Sequence, residues 1–377
     1  LLVAWGDGVT RMIEDGFFRS GRNLGQLWAG RIGEEFTPAV DRRELRFVYD
    51  DLLAARRHAR LAVLIGGETR RYVTAAYRQR GLNLELRGTE PQSIALRGVR
   101  IASGRLIHPV DLDHRRRVLV LGHVARQRLL GAQGGVGSWV RIEGTPFQVV
   151  GILERVGTQL SSDGDPIDEQ VWTPLTTAMA LWPHPTTDDW IVNTILYRMK
   201  DRSLYEPTRD ELRAILAERL GVSPTDDEAI HGWSAIEMLA TLPLDRQKAM
   251  MLVLSAATLV IGGVGTLNMM IDAVQERRSE IGVRLAIGAR RRDIVAQFFL
   301  ETLCVVALGG LLGVALGIGA CLLLASFETP DLIPVPILSG GIVAIALSVM
   351  AAVGVVAGVV PAWRAAAVDP ALTLREE

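Results

Sequence analysis

The chain has 377 residues, a mean hydropathy of +0.24 and 49% hydrophobic residues beside 22% charged ones, which is too apolar on average for an ordinary soluble protein. Its formal net charge of −1 gives no basis for nucleic-acid binding. Most of the charge precedes Lys248, and residues 249–361 are apolar apart from one arginine-rich stretch, the pattern of a soluble domain fused to a membrane domain.

The chain opens on Leu1-Leu2-Val3-Ala4-Trp5, read as the tail of an apolar segment whose beginning is missing, either a first transmembrane helix or an uncleaved signal anchor. Val9, Met12, Ile13 and Phe17 recur at helical spacing opposite Asp7, Arg11, Glu14 and Asp15, predicting an amphipathic helix ended by Gly21. Residues 1–22 are therefore expected to be the end of a first span and its stalk. Residues 23–233 form a mixed α and β soluble part, large enough for one domain or two subdomains. The runs 71–77 and 82–86 alternate as strands, with the turn expected at Gly81. Thr89-Glu90-Pro91-Gln92 is a cap followed by proline, a helix start.

Val118-Leu119-Val120-Leu121 reads as a buried strand, followed by a helix over 124–130 and a glycine-rich turn over 131–137. Glu143-Gly144-Thr145 separates 139–142 from 147–152 as in a β-hairpin. Trp172-Thr173-Pro174-Leu175 leads into a short helix. A strand over 191–198, a helix over 207–220 with Leu212, Ile215, Leu216 and Leu220 on one face, and a strand over 229–233 make a βαβ unit of the kind an α+β domain contains.

Ile236, Leu239, Ala240, Leu244 and Met250 predict a stalk helix over 234–251 that Pro243 kinks or restarts. Three spans follow, 249–271, 298–325 and 340–360, of about 35, 42 and 32 Å, each enough for a hydrocarbon core of about 30 Å. The connection 326–338 holds Glu328, Asp331 and three prolines but no basic residue, whereas 272–297 holds six arginines and no lysine. The positive-inside rule puts the arginine-rich loop in the cytoplasm and the other connection, with the soluble domain, outside. With the amino-terminal stub as a truncated first helix, the expected fold is a four-helix α-helical transmembrane bundle, 249–377 being its main part, plus an α+β extracytoplasmic domain. The carboxyl tail from Pro361 is then cytoplasmic.

Catalysis has little to stand on. Among six histidines only His108 and His114 share a short segment, with Asp111 and Asp113 between them; with no cysteine or third histidine nearby, a solvated loop is favoured over zinc. Asp163, Asp165 and Asp168 share a polar loop, but Pro166 and Ile167 stand where a calcium loop needs a ligand and a glycine. Gly134, Gly135 and Gly137 are followed by no Lys-Ser or Lys-Thr, so a connector is favoured over a phosphate loop. Cys304 and Cys321 lie about 25 Å apart along a helix, beyond disulfide reach. No Gly-x-Ser-x-Gly, His-Glu-x-x-His or Walker lysine motif occurs, so the chain is expected to be no enzyme by itself and to hold no metal or cofactor. Only Ser255, Thr258, Asn268 and Ser348 are polar well inside the spans, which disfavours an ion relay.

Two features remain. Gly309, Gly313 and Gly317 form a small-xxx-small stripe, and Gly354 and Gly358 form another, either joining two copies or packing one bundle. Within the arginine-rich stretch Ile281, Val283, Leu285, Ile287 and Ile294 are mixed among charges at amphipathic spacing, predicting a helix that docks an apolar face while arginines hold lipid headgroups or carboxylates; Gly282 and Gly288 permit sharp exits.

Glu276-Arg277-Arg278-Ser279-Glu280-Ile281-Gly282 followed by Arg284-Leu285-Ala286-Ile287-Gly288-Ala289 resembles the signature of the FtsX-like permease domain of MacB-type ABC transporters. Gly262-Gly263-Val264-Gly265-Thr266-Leu267-Asn268-Met269-Met270 resembles the second transmembrane helix of that type, and residues 361–375 its closing motif. Gly104-Arg105-Leu106, residues 118–122 and residues 147–151 are similar to the MacB periplasmic core domain. The resemblance implies a multi-pass protein of the cell inner membrane with a periplasmic domain of two lobes. It implies a dimer with a second permease copy or paralogue, ABC ATPase subunits that bind ATP and Mg, a periplasmic adaptor and membrane lipid as partners. It makes Glu276, Arg277, Arg278, Glu280, Ile281, Gly282, Arg284, Ile287 and Gly288 the ATPase-coupling residues. Asp272 departs from the family pattern, where an apolar or small residue is usual, and is expected to pair with a nearby arginine. The function implied is mechanotransmission for export or extrusion of a substrate. A signalling platform that activates a periplasmic partner such as a cell-wall hydrolase, and a lipoprotein-releasing permease, are the alternatives.

Overall fold

The computed structural model describes residues 2–19, 21, 23–36, 43–131, 134–160, 164–183, 190–326, 334–337 and 339–366. They divide into a sheet unit, Ile13–Leu242, and a helical unit, Leu1–Met12 with Pro243–Glu377.

The apolar stub and the amphipathic turn after it form one helix, α1 (Leu2–Phe18), which stops before Gly21, where φ is +129°. Next come β1 (Leu24–Ala29), β2 (Phe47–Val48) and α2 (Tyr49–His58). None of these three has a readable alternation; β1 needs Gly25 because a Cβ there would stand 2.2 Å from Cζ of Tyr197. In α2, Asp50 and Asp51 in the first turn and Arg56, Arg57 and His58 in the last suit the helix dipole.

Strand β3 (Ala62–Tyr77) is 16 residues long, more than twice the expected run, because the backbone alternation continues through Gly66 and Gly67, which carry no side chain to mark it. Both glycines are needed: added Cβ atoms would meet Oγ of Ser93 and Cδ2 of Leu52 at 2.4 Å. The turn into β4 (Arg80–Thr89) lies at Arg78, which has φ +53°, and not at Gly81, which pairs with Ala76 inside the hairpin. Pro91 opens α3 (Pro91–Arg97) and Gly98, at φ +64°, closes it. The chain then runs through β5 (Ile101–Gly104), α4 (Pro109–Asp113), β6 (Val118–Leu121), α5 (His123–Leu130), β7 (Trp139–Ile142) and β8 (Thr145–Leu153). Glu143 and Gly144, both at positive φ, make the β7–β8 turn. After β9 (Val171–Pro174) and α6 (Leu175–Leu181) come β10 (Ile191–Val192), β11 (Thr194–Met199), α7 (Tyr205–Leu220), β12 (Ile230–Ser234) and α8 (Ala235–Thr241).

The main sheet has the order β12-β1-β11-β3-β4-β9-β6-β8-β5, with β7 pairing β3 and β8. The expected βαβ unit is split: β11 and β12 are both antiparallel to β1, which lies between them. Strand β3 serves two neighbourhoods, pairing β11 through Glu68 and β4 from Thr69 onward. One apolar cluster gathers Leu27, Phe47, Leu52, Tyr197, Leu212 and Leu216; another gathers Leu84, Leu86, Leu121, Leu129, Phe147 and Val171. Burying each such side chain contributes about 1.5–3 kcal/mol.

At the changeover on β3 sits a buried charge network with no signal in the periodicity. Glu68 accepts hydrogen bonds from Arg87 at 2.8 Å and Arg97 at 2.6 Å, and Arg87 also binds Glu85 at 2.5 Å. Glu90 pairs with Arg56 and accepts the Gly67 amide at 3.0 Å. In this low dielectric every charge must be matched, and here each carboxylate named faces at least one guanidinium.

In the helical unit the stalk is interrupted: α8 ends at Thr241 and α9 (Leu244–Glu276) starts anew after Pro243, which lacks the amide a continuous helix requires. The stretch expected as a loop at 272–297 is mostly helical. Helix α9 continues to Glu276, α10 (Arg278–Ala286) follows, and α11 (Arg291–Ser326) begins soon after; α12 (Gly340–Ala366) is the last element. Helices α9, α11 and α12 are long and apolar enough to cross a membrane.

Candidate functional site

The amphipathic spacing of the arginine-rich stretch becomes α10, a two-faced helix set between two spans. Arg277, at φ −100° and ψ 19°, departs from helical backbone angles and separates α9 from α10. At the other end Gly288, with φ +103°, closes the helix while the Ala289 amide donates to the Arg284 carbonyl at 3.0 Å. The inner face carries Ile281, Gly282 and Leu285. Ile281 is 2% exposed and clusters with Met270 and Val274 of α9, Ile294 and Phe298 of α11, and Ala362 and Ala365 of α12. Helix α10 therefore shares one apolar cluster with residues of all three spans.

The outer face carries Glu280, Val283, Arg284 and Ile287, spaced for one side of a helix, and Ile287 is 82% exposed. Arg284 donates to Oε1 of Gln297 at 2.9 Å, which orients its guanidinium along α11. Arg277 pairs with Glu301 at 3.5 Å, an exposed bridge of small energetic weight. Glu276, Arg278 and Gly288 are exposed. Of the nine coupling residues read from the sequence, seven thus face outward; Ile281 and Gly282 point into the protein's own bundle, because that side of α10 meets apolar residues of α9, α11 and α12. The apolar docking face expected from Ile281, Val283, Leu285, Ile287 and Ile294 is split accordingly, Ile281 and Ile294 being buried while Val283 and Ile287 remain outside. Asp272 has no ion pair among the described residues, contrary to expectation; it is exposed, where water solvates a lone carboxylate.

The two glycine stripes part company. A Cβ on Gly354 would meet Val306 at 2.8 Å and one on Gly358 would meet Phe299 and Thr302 at 3.3 Å, so α12 packs closely on α11 there. Added Cβ atoms on Gly309, Gly313 and Gly317 would meet nothing, and the close approach on α11 falls to Gly310 against Met350. Gly309, Gly313 and Gly317 instead line an apolar cavity of about 700 Å³ with Leu252, Leu259 and Val305.

The remaining candidates resolve into structure. Asp111 accepts from Arg105 at 2.5 Å and from the His108 amide at 3.0 Å, and Arg116 lies 3.7 Å away. Burial alone would raise the Asp111 carboxyl, but the Arg105 and His108 hydrogen bonds and the charges of Arg105 and Arg116 outweigh it and hold it below the usual carboxylate range. Asp168 accepts the amides of Val156 and Gly157, both at 2.9 Å, and Asp165 accepts from the Tyr72 hydroxyl, so the two carboxylates serve different loops; Asp163 lies outside the described residues. No metal-binding group is found among the described residues. Apart from Ile294, the apolar residues of α11 and α12 that cluster with Ile281 were not singled out by the sequence; the three-residue spacing of Ala362 and Ala365 beside the charged tail is the signal that could have found the α12 pair.

An α+β domain followed by three membrane-length helices, with a short two-faced helix between the first two, defines a class of membrane permease. A family model described as MacB-like periplasmic core domain matches residues 1–215, and one described as FtsX-like permease C-terminal matches residues 252–370. The chain belongs to this family of MacB-type, FtsX-like permeases. It is 34% identical to a macrolide export ATP-binding/permease protein MacB from Rhodospirillum rubrum over 78% of its length and 43% of the relative's. The MacB of Azoarcus is 31% identical over 74% of this chain and 40% of its own length. That of Bdellovibrio bacteriovorus is 28% identical over 100% of this chain and 57% of its own. The chain thus spans about half the length of the curated relatives it matches. The crystal structure of the periplasmic region of MacB from Actinobacillus actinomycetemcomitans aligns with 61% of this chain and 96% of its own at 15% identity, with a TM-score of 0.47. The extracellular domain of the ABC-type transporter YknZ aligns with 56% of this chain and all of its own at 16% identity and a TM-score of 0.45. Three membrane-length helices and the match to a periplasmic domain make this a membrane protein with an extracytoplasmic domain.

Proposed function

We propose that the chain is the permease of an ABC-type exporter in the cell inner membrane, and that it passes ATP-driven motion of partner ATPase subunits through α10 to the spans and on to the periplasmic domain. The observation that carries this reading is the two-faced burial of α10: its inner face shares one apolar cluster with residues of α9, α11 and α12, while Glu280, Arg284 and Ile287 stand outward where a partner can press on them. A push on a helix that shares a cluster with three others moves all three, since close-packed interiors transmit strain. Family membership supports the same reading, and the relatives' name gives ATP binding and macrolide export to those proteins. Here ATP and Mg are held by the partner ATPase, a second permease copy and a periplasmic adaptor complete the assembly, α1 contributes a fourth membrane helix, and the two main apolar clusters of the sheet unit centre two lobes.

The test is the double substitution Glu280→Ala with Arg284→Ala, measured as permease-dependent stimulation of the partner ATPase in lipid nanodiscs. Stimulation is expected to disappear while the ATPase alone is unaffected. Stimulation at the unsubstituted level takes α10 out of the mechanism.

A further inference from the structure

Two chain segments lead from the sheet unit toward the membrane helices, the end of α1, where Phe17 is buried, and the short helix α8. In α8 only Ala235 is buried. Its cap is Ser234, whose hydroxyl accepts the Ile236 amide at 3.2 Å and donates to the Leu24 carbonyl at 3.1 Å. Beyond that cap, α8 is anchored by Ile236, half-buried against the apolar cluster of Tyr205 and Leu212, and by Glu237, which accepts the Tyr205 hydroxyl at 2.5 Å while Arg209 stands 3.7 Å from its other oxygen. Burial, followed by the Glu237 hydrogen bond and charge, pushes the Tyr205 hydroxyl well above its ordinary range, so it stays a donor at any physiological pH.

The end of α1 meets the same stretch of chain. The Arg202 guanidinium lies 4.7 Å from the centre of the Phe18 ring, and the Phe17 ring lies 6.3 Å from that of Trp233, in the strand that leads directly into α8. Arg202, Tyr205 and Arg209 occupy the turn before α7 and its first turns, and Tyr205 is rooted in the apolar core beside Leu212 and Leu216. One short segment therefore holds Phe18 with Arg202 and Glu237 with Tyr205 and Arg209.

We propose that residues 202–209 form a clasp that ties the end of α1 and helix α8 to each other and to the sheet, with Arg202 and Glu237 as positioning residues for coupling. The proposal rests on the mechanotransmission reading for its function, but its geometry stands apart from it. Motion arriving along either connector meets this shared segment, beside the Ser234–Leu24 bond of α8 and the Leu160–Gly16 bond of α1, and loosening one connector at the clasp loosens the other.

The experiment is hydrogen exchange on the full chain in nanodiscs, followed by ATP-dependent exchange of the sheet unit in complex with the partner ATPase. Glu237→Ala is expected to raise exchange about ten-fold at 235–241, the effect of losing one charge-assisted hydrogen bond, and also to raise it at 14–19, which Glu237 does not touch. Arg202→Ala is expected to do the converse, with β3 and β4 unchanged in both. Glu237→Gln, which keeps an acceptor for Tyr205, is expected to restore protection. Effects confined to the substituted connector overturn the clasp. An ATP-dependent response in the sheet unit that survives both alanine variants overturns its role in coupling, whereas no such response in the unsubstituted complex overturns the transport reading and leaves the clasp to stand or fall on exchange alone.

Discussion

The arginines of the sheet unit and those around α10 share a side chain and have opposite surroundings. Arg87 and Arg97 are 1% and 3% exposed and lie against Glu68, with Glu85 completing the set on Arg87. Arg278, Arg290 and Arg291 are exposed and make no ion pair among the described residues. A guanidinium taken out of water must be matched at once by carboxylates, and the result is a rigid joint where β3 changes partners. One left in water keeps its five donors for a partner, which around α10 suits the proposed coupling role. The sheet unit spends charge on specifying its shape, and the helical unit keeps it available.

The largest effect that can break this comparison is at the joint. Arg87→Ala leaves Glu85 buried without its guanidinium and is expected to cost about 3–5 kcal/mol in denaturant unfolding of the sheet unit, whereas Arg278→Ala is expected to change stability by less than about 0.5 kcal/mol. Equal costs at the two positions would mean that burial does not separate the two sets. A second test stays on α10: Ile281→Ala opens a cavity among α9, α11 and α12 and is expected to cost about 2 kcal/mol or more in thermal unfolding, while Ile287→Ala on the outer face is expected to be close to neutral for stability. The smallest effect concerns Asp111. Its folded carboxyl is held below the ordinary value of about 4, so the stability it contributes is complete above that value and is lost as pH falls through the lower folded one. Asp111→Asn is expected to flatten the acid limb of a stability-against-pH curve by about 0.5–1 kcal/mol, a modest amount because Arg105 is half exposed.

Local rules made much of the fold legible. Pro91 and Gly98 mark α3 at both ends, Val118-Leu119-Val120-Leu121 is a fully buried strand, and Glu143-Gly144 makes the hairpin turn. The glycine pair inside β3 concealed half of the longest strand, since the side chains that would have shown the alternation are absent where Ser93 and Leu52 need the room. Glu85 alternates as an outward strand position would, yet it is buried, because Arg87 and the Asp165 amide cover that face. At the candidate site Glu280, Arg284 and Ile287 were named by the family resemblance, and they stand exposed. The inward turn of Ile281 was not legible, since a helix with apolar residues on more than one side does not announce which side finds a partner.

By itself the sequence determined the division into a charged soluble part and an apolar membrane part, the existence of three membrane-length helices and the helical period of the arginine-rich stretch, because these depend on composition and on neighbours a few residues apart. Only the tertiary structure decided that β1 lies between β11 and β12, that Glu68 meets Arg87 and Arg97, that Gly354 and not Gly313 is a packing contact, and that Arg202 and Glu237 hold two distant segments on one turn. Each of these joins residues far apart along the chain, and such pairings are chosen by which surfaces remain to be buried once the local elements have formed.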